Sequence, residues 1–543
     1  MCAKHSPLPY AQSSSGSLAW LAPITLPCIK QLGLANALPT LTWQWLDLVY
    51  LFLIYQTAYI LHTFWWKAPS NMMIAAYPTI LGRYCTALHM VFDPETPLQR
   101  AYDSSNGKPF AIPMTDRWVI FVSDRTQVKE LEGVSETVLS MEHALHELAL
   151  TGPILGRLQV APDHKGPKSE AFRVMIGVLK NKLRSNIPVM SEAFRAQISD
   201  AVRKEVADSK VDEEGWSELL LMPSLLRVFT RVNLLAFLGE EKASEMQVYD
   251  DVMAFFWSCA KAFPIVNLVP RLLMPFIGPV AMGWGFTRQK VYDLILRLTR
   301  KSLDGSAADA KHIAHWTAEM TKLRDAAAVA RVTLGLLFAS AFQVPMIAQF
   351  VIHRLCVHPE YREKLRAEAT ESADVSFGMK NEDMPYLDSF IKETSRLSPG
   401  LLLSAPRTVM EPYTSSDGCH IPPGNWIAIP QVALMLDETI WPRASSFEGF
   451  RFVDRSIDAS ETRWTHPSYE YPFWGSIRHA CPARFYVSVV MKMILSHLLI
   501  EYEFKLKDEK ARPYLTFGKV RLPSVFMVLL VKKRASGEVK FDE

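Results

Sequence analysis

The chain has 543 residues, of which 49% are hydrophobic and 21% charged, with a formal net charge of +3. That composition supports a large buried core and excludes a disordered chain. The longest basic run is Lys532-Lys533-Arg534, too short for a nucleic-acid footprint. Seven cysteines (Cys2, Cys28, Cys85, Cys259, Cys356, Cys419, Cys481) are scattered without a Cys-x-x-Cys pair. This spacing excludes a clustered zinc cage and fits reduced thiols in a cytosol-facing body.

Residues 1–40 read as a tail containing Ser, Pro and Ala. Leu48 to Trp66 then runs without Lys, Arg, Asp or Glu, close to the roughly 20 residues that cross a bilayer. Trp43, Trp45, Tyr50, Trp65 and Trp66 suit the two interfaces, and Lys67 follows. The segment starts too late for a cleaved leader, so 41–66 is expected to be a single-pass anchor. Residues 67–543 show no linker, repeat or composition shift and are expected to form one domain.

Within that body, Arg117 to Ser123 is apolar, β-branched and bounded by Asp116 and Asp124, and reads as a strand. Helical periodicity dominates from Ser169 to Val206, Glu218 to Phe237, Ser244 to Ala260, Arg288 to Leu303 and Asp325 to Val357. Phe263 to Phe286 carries Pro264, Pro270, Pro275 and Pro279 and cannot be one straight helix; it reads either as a core loop or as a surface patch dipping into lipid. Val332 to His353 resembles a second span, yet Gln343, Pro345 and Gln349 fit a long buried helix better. A helix from Tyr386 to Leu397 puts Glu393 and Arg396 on one face. Ile421-Pro422-Pro423-Gly424 reads as a turn, and Trp426 to Ile429 and Val525 to Val531 as short strands. The expected fold class is mainly α with a small β portion.

The stretch Pro472 to Tyr486 places Cys481 where a tight turn enters a helix-like run, Val487 to Leu499. Backbone N–H groups and the helix dipole would stabilise a thiolate there. A lone cysteine also fits a small buried apolar residue, and local chemistry leaves both readings open.

This stretch resembles the haem-binding loop of cytochromes P-450, in the fungal secondary-metabolite form Phe-Gly-x-Gly-Arg-His-Ala-Cys-Pro-Gly-Arg-Phe. Gly475, Arg478, His479, Ala480, Cys481, Pro482, Arg484 and Phe485 match in register. The resemblance implies the single-domain cytochrome P-450 fold, haem b as cofactor and Cys481 as its axial thiolate ligand. Thiolate ligation pushes electron density onto iron. The loop departs from the pattern at Trp474, Ile477 and Ala483, the last two standing where glycines are usual. A β-branched Ile477 would fit poorly if φ were positive there.

Further matches are the Glu393–Arg396 pair with Arg451 as third member, and Ala405-Pro406-Arg407. The resemblance implies that Glu393, Arg396 and Arg451 support the haem segment. It further implies that Arg407, His479 and, more weakly, Lys180 meet the haem propionates. It spans about Ala75 to Val531 and includes Asp116-Arg117-Trp118 and His358-Pro359-Glu360-Tyr361. Phe338, Ala339 and Phe342, with Leu402, Leu403 and Ser404, are the expected substrate-pocket wall. The implied partners are O2, a small lipophilic terpenoid or polyketide-derived substrate, and an NADPH–cytochrome reductase, in the endoplasmic reticulum membrane.

Where fungal relatives read Phe-Ala-Ser-x-His-Thr-Thr, this chain reads Phe338-Ala339-Ser340-Ala341-Phe342-Gln343-Val344. No titratable group remains there. Gln343 is therefore the candidate proton relay, through a held water, and Pro345 is expected to kink the helix. The leading expectation is a monooxygenase. The alternatives are a haem-thiolate desaturase, isomerase or dehydratase, and a non-catalytic binder of haem or a lipophile.

Overall fold

The computed structural model describes residues 38–160, 169–269, 273–305, 310–321, 325–374, 384–455 and 458–534. Of the expected tail, residues 1–37 lie outside these. Contacts divide the chain into Met1–His62 and Thr63–Glu543. In the first unit, helix α1 (Leu38–Leu61) has no acidic residue in its first turn and no basic one in its last. Asp47–Trp66 is long and apolar enough to cross a membrane, and Leu48, Tyr50, Leu51 and Leu53 are all more than half exposed. Such exposure of consecutive large apolar side chains is unfavourable in water.

The second unit is mostly helical. Its principal helices are α2 (Arg184–Ala207), α3 (Leu221–Leu238), α4 (Met246–Leu268), α5 (Phe286–Leu303), α6 (Ala326–Ser340), α7 (Gln343–Val357), α8 (Pro385–Leu397) and α9 (Arg484–Glu501). Both α3 and the α6–α7 pair are as long and apolar as membrane spans, but their side chains are mostly buried in the central core. A helix apolar all round belongs in such a core.

Three expectations are corrected. Glu218 to Leu220 is not helical: the strand Ser217–Leu220 pairs antiparallel with Val528–Lys533, Ser217 facing Val531 and Leu220 facing Val528. Here a sheet partner from the far end of the chain overrides local helical periodicity. Helix α4 runs on through Pro264 to Leu268, and a separate helix, Met274–Ala281, has Pro275 in its first turn, where no N–H is needed. The long distal segment is two helices, α6 and α7, rather than one kinked helix.

A six-stranded mixed sheet flanks the helices: β1 (Met73–Ile74), β2 (Phe110–Pro113), β3 (Trp118–Phe121), β4 (Leu139–Ser140), β5 (Ser404–Val409) and β6 (Trp426–Ile429), in the order β1-β2-β3-β6-β5-β4. Strands β3 and β6 are buried throughout. Antiparallel β5–β6 pairing sets Arg407 opposite Ile427. That register fixes which face of the sheet carries the guanidinium.

Candidate active site

The Cys481 turn is built from the backbone. A single 3-10 turn, Pro472–Trp474, ends at Gly475, whose φ is +101°. A Cβ there would sit 2.9 Å from the His479 carbonyl oxygen, so only glycine lets the loop fold back on itself. The Cys481 N–H then donates to the Trp474 carbonyl at 2.7 Å, and His479 N–H to the Ser476 carbonyl at 3.1 Å. Ile477 is not among the positive-φ residues and Ala483 has φ −83°, so neither replaced glycine was conformationally required. Ile477 points outward, 42% exposed.

Cys481 lies three residues before α9, close enough to the backbone N–H groups of Ala483 and Arg484 for them to favour its thiolate. Burial nonetheless raises the thiol's pKa above its ordinary value, against those N–H groups and the Arg484 charge. A half-buried sulfur beside the start of a helix, with too little positive charge nearby to ionise alone, fits a thiolate ligand completed by a metal cation. The donor set therefore suits an axially bound iron. Trp474 extends the support: its indole N–H donates to the Trp464 carbonyl at 2.6 Å, and the two indoles lie 4.8 Å apart.

The structure brings Glu393, Arg396 and Arg451 together as a buried cluster. Arg396 grips Glu393 through both carboxylate oxygens at 2.7 and 2.8 Å, and Arg451 Nε reaches Oε1 at 3.0 Å. The two guanidiniums also donate to the carbonyls of Met435, Pro442 and Ser446, tying the segment ahead of the Cys481 turn to α8. Bidentate pairing and saturated donors are what make a buried ion cluster tolerable.

Arg407 and His479 also meet, at 3.0 Å between Nη2 and Nδ1. Burial holds the Arg407 pKa below its usual range despite nearby Glu136, 3.5 Å from Nη1. Lys180 lies exposed in a π-helical turn, Val178–Leu183, and no described contact joins it to Arg407 or His479. Glu132 and Glu136 were missed by motif reading. Glu132 accepts the Arg478 N–H at 2.8 Å. Their signal was two carboxylates four apart before β4, Glu132 in the last turn of the helix Arg125–Gly133 and Glu136 just after it.

On the distal side, α6 ends at Ser340 and α7 begins at Gln343. Ala341 N–H donates to the Phe338 carbonyl at 3.2 Å, a tighter i→i−3 bond, and Met346 N–H to the Phe342 carbonyl at 3.1 Å. Pro345 falls in the first turn of α7, where its missing N–H leaves nothing unpaired. Ala339 and Gln343 are exposed while Phe338 and Phe342 are half-buried. Phe342 packs against buried Phe256 of α4, ring centroids 6.0 Å apart. Leu402 and Leu403 instead pack into the sheet-side core, and the Ser404 hydroxyl donates to the Pro472 carbonyl at 2.5 Å. Asn233 of α3 joins the two sides: its Nδ2 lies 3.3 Å from Ser340 Oγ, and its Oδ1 accepts from Tyr486 of α9 at 3.0 Å.

Comparison with known proteins bears on the fold and the family. The family model described as cytochrome P-450 matches residues 180–530. Ent-kaurene oxidase of Gibberella intermedia is 29% identical over 382 residues, covering 66% of this chain and 70% of its own. Cytochrome P-450 monooxygenase paxQ of Penicillium paxilli is 23% identical over 481 residues, covering 84% and 90%. Among solved structures, a retinoic acid-bound cyanobacterial protein superposes with a TM-score of 0.60 over 82% of this chain and 95% of its own, at 15% identity. The match of fold, motif region and family model is mutually consistent, and the chain belongs to the cytochrome P-450 family.

Proposed function

We propose that this cytochrome P-450 is a membrane-anchored monooxygenase that oxidises a lipophilic secondary metabolite, with Cys481 as the iron ligand. Family membership carries oxidoreductase chemistry and haem with an axial cysteine thiolate. The observation that carries the assignment to Cys481 is its place in a tight turn three residues before α9, with its own N–H tied to the Trp474 carbonyl. When bound, the haem supplies oxygen activation, which thiolate ligation favours by pushing electron density onto iron.

The chain's residues do the rest. Arg407 and His479, 3.0 Å apart, present donors for two propionates, with Lys180 the weaker candidate. Glu393, Arg396 and Arg451 brace the segment leading to Cys481. Ala339, Phe338 and Phe342 offer an apolar wall, extended by Leu402, Leu403 and Ser404 at its margin. Gln343, exposed at the first turn of α7, holds a water by donating and accepting, in place of an acid–alcohol pair.

A terpenoid or polyketide-derived substrate is the reading the apolar wall supports, in keeping with an ent-kaurene oxidase among the relatives. Residues 41–66 act as a single-pass anchor in the endoplasmic reticulum, with 67–543 as the catalytic domain facing the cytosol, and an NADPH–cytochrome reductase supplies electrons. The test is incubation of membranes carrying the full chain and such a reductase with NADPH, isotope-labelled O2 and a panel of terpenoid and polyketide substrates. Label in a NADPH-dependent product supports the reading; products without label, in enzyme that binds haem and substrate, contradict monooxygenation.

A further inference from the structure

Three helices, α3, α6 and α9, meet at a buried polar contact. Asn233 is 4% exposed on α3, amid Val232, Leu234 and Leu235. Its amide nitrogen lies 3.3 Å from Ser340 Oγ and 3.5 Å from the Ser340 carbonyl, which the end of α6 deprives of its usual i+4 donor. Ser340 Oγ in turn donates to the Leu337 carbonyl at 2.7 Å. On its other side Asn233 Oδ1 accepts the Tyr486 hydroxyl at 3.0 Å, and that ring is 6% exposed and edge-on to Phe194 at 5.8 Å. Tyr486 lies five positions beyond Cys481, in the first turn of α9. Ser340 lies one residue after Ala339 and three before Gln343.

Apolar contacts alone let packed helices slide with little penalty, because dispersion is non-directional. A buried amide is different: it costs roughly 1–3 kcal/mol to leave unpaired, so it admits few relative positions of its partners. We infer that Tyr486, Asn233 and Ser340 form a positioning network that fixes the spacing between the Cys481 turn and the break between α6 and α7. This rests on the reading of Cys481 as iron ligand and of the break as the opposite wall. The network thereby sets how tall a ligand fits between the iron and the Ala339–Gln343 face, and none of its members touches the reacting atoms.

The experiment uses the full-length, haem-loaded chain in membranes and titrates it spectroscopically with imidazole and with phenylimidazole. These two probes bind iron through the same nitrogen but differ in height. The carbon monoxide spectrum of the unsubstituted protein is the control for the underlying reading: without a thiolate-type band, that reading fails rather than this one. With the band present, Asn233→Leu relaxes the spacing and shifts the ratio of the two dissociation constants by about tenfold in favour of the taller ligand. Tyr486→Phe removes one hydrogen bond and shifts it the same way by about threefold, which decides the matter should Asn233→Leu not take up haem. Ratios within about twofold of the unsubstituted protein in every variant that binds haem, whatever its melting temperature, overturn the inference.

Discussion

Gly475 is the residue on which the Cys481 turn depends most directly. Its φ of +101° and the 2.9 Å approach of a hypothetical Cβ to the His479 carbonyl leave no room for a side chain. Gly475→Ala is expected to cost about 1–3 kcal/mol of local strain and to lower haem content, read from the ratio of Soret to protein absorbance. Glu393 presents the opposite case, a residue whose partners cannot do without it. Glu393→Ala would leave the Arg396 guanidinium buried without its carboxylate and Arg451 with Glu448 alone, a loss of about 3–5 kcal/mol. Chemical denaturation of the folded fraction, or the yield of haem-loaded protein, measures it. Gln343→Ala should raise the share of consumed NADPH that emerges as peroxide rather than product; unchanged coupling would remove Gln343 from proton delivery.

At the scale of elements, the break between α6 and α7 carries the chain's individuality. Pro345 has no N–H to offer the Ala341 carbonyl four residues back, and Phe342 at the break has φ −113°, well away from the ideal helical value. Pro345→Ala restores one N–H donor and is expected to raise amide-exchange protection across residues 341–346. Unaltered exchange would show that Phe342 packing on Phe256, rather than proline, holds the break.

Part of this was legible in sequence. The Cys481 turn and the Glu393–Arg396 pair rest on short-range spacing, whereas Arg451, Arg407 and His479 were reached only through the family resemblance, because their contacts span 58 and 72 residues of chain. The strand at Ser217–Leu220 was not legible, because its partner is Val528–Lys533, far along the chain. Asn233 was invisible for the same reason: a single amide in a helical pattern has no signal until Ser340 and Tyr486 are brought to it. Leu402 and Leu403 read as pocket wall and are buried beside the sheet-side core, a position that apolar residues take in either role.

For the whole molecule, charge burial and membrane attachment make the remaining predictions. His312 and His353 are both buried, which pulls their pKa values down to about 4. Unfolded, each takes up a proton near its ordinary value of about 6.5. Between those limits the unfolded state binds more protons, so stability should fall as pH drops from about 6.5 to about 4. Denaturation midpoints across that window test this, and His353→Gln should flatten the dependence. Removing residues 1–62, which include the exposed apolar side chains of α1, is expected to move much of the protein out of the carbonate-resistant membrane fraction.

The central claim is that Cys481 holds the iron, and the carbon monoxide difference spectrum of the reduced, membrane-expressed protein tests it most directly. The account predicts the strongly red-shifted Soret band of a thiolate ligand, abolished in Cys481→Ala while Cys356→Ala and Cys419→Ala retain it. A band at the position of neutral-thiol or histidine ligation in fresh, folded protein, or one that survives Cys481→Ala, would contradict it.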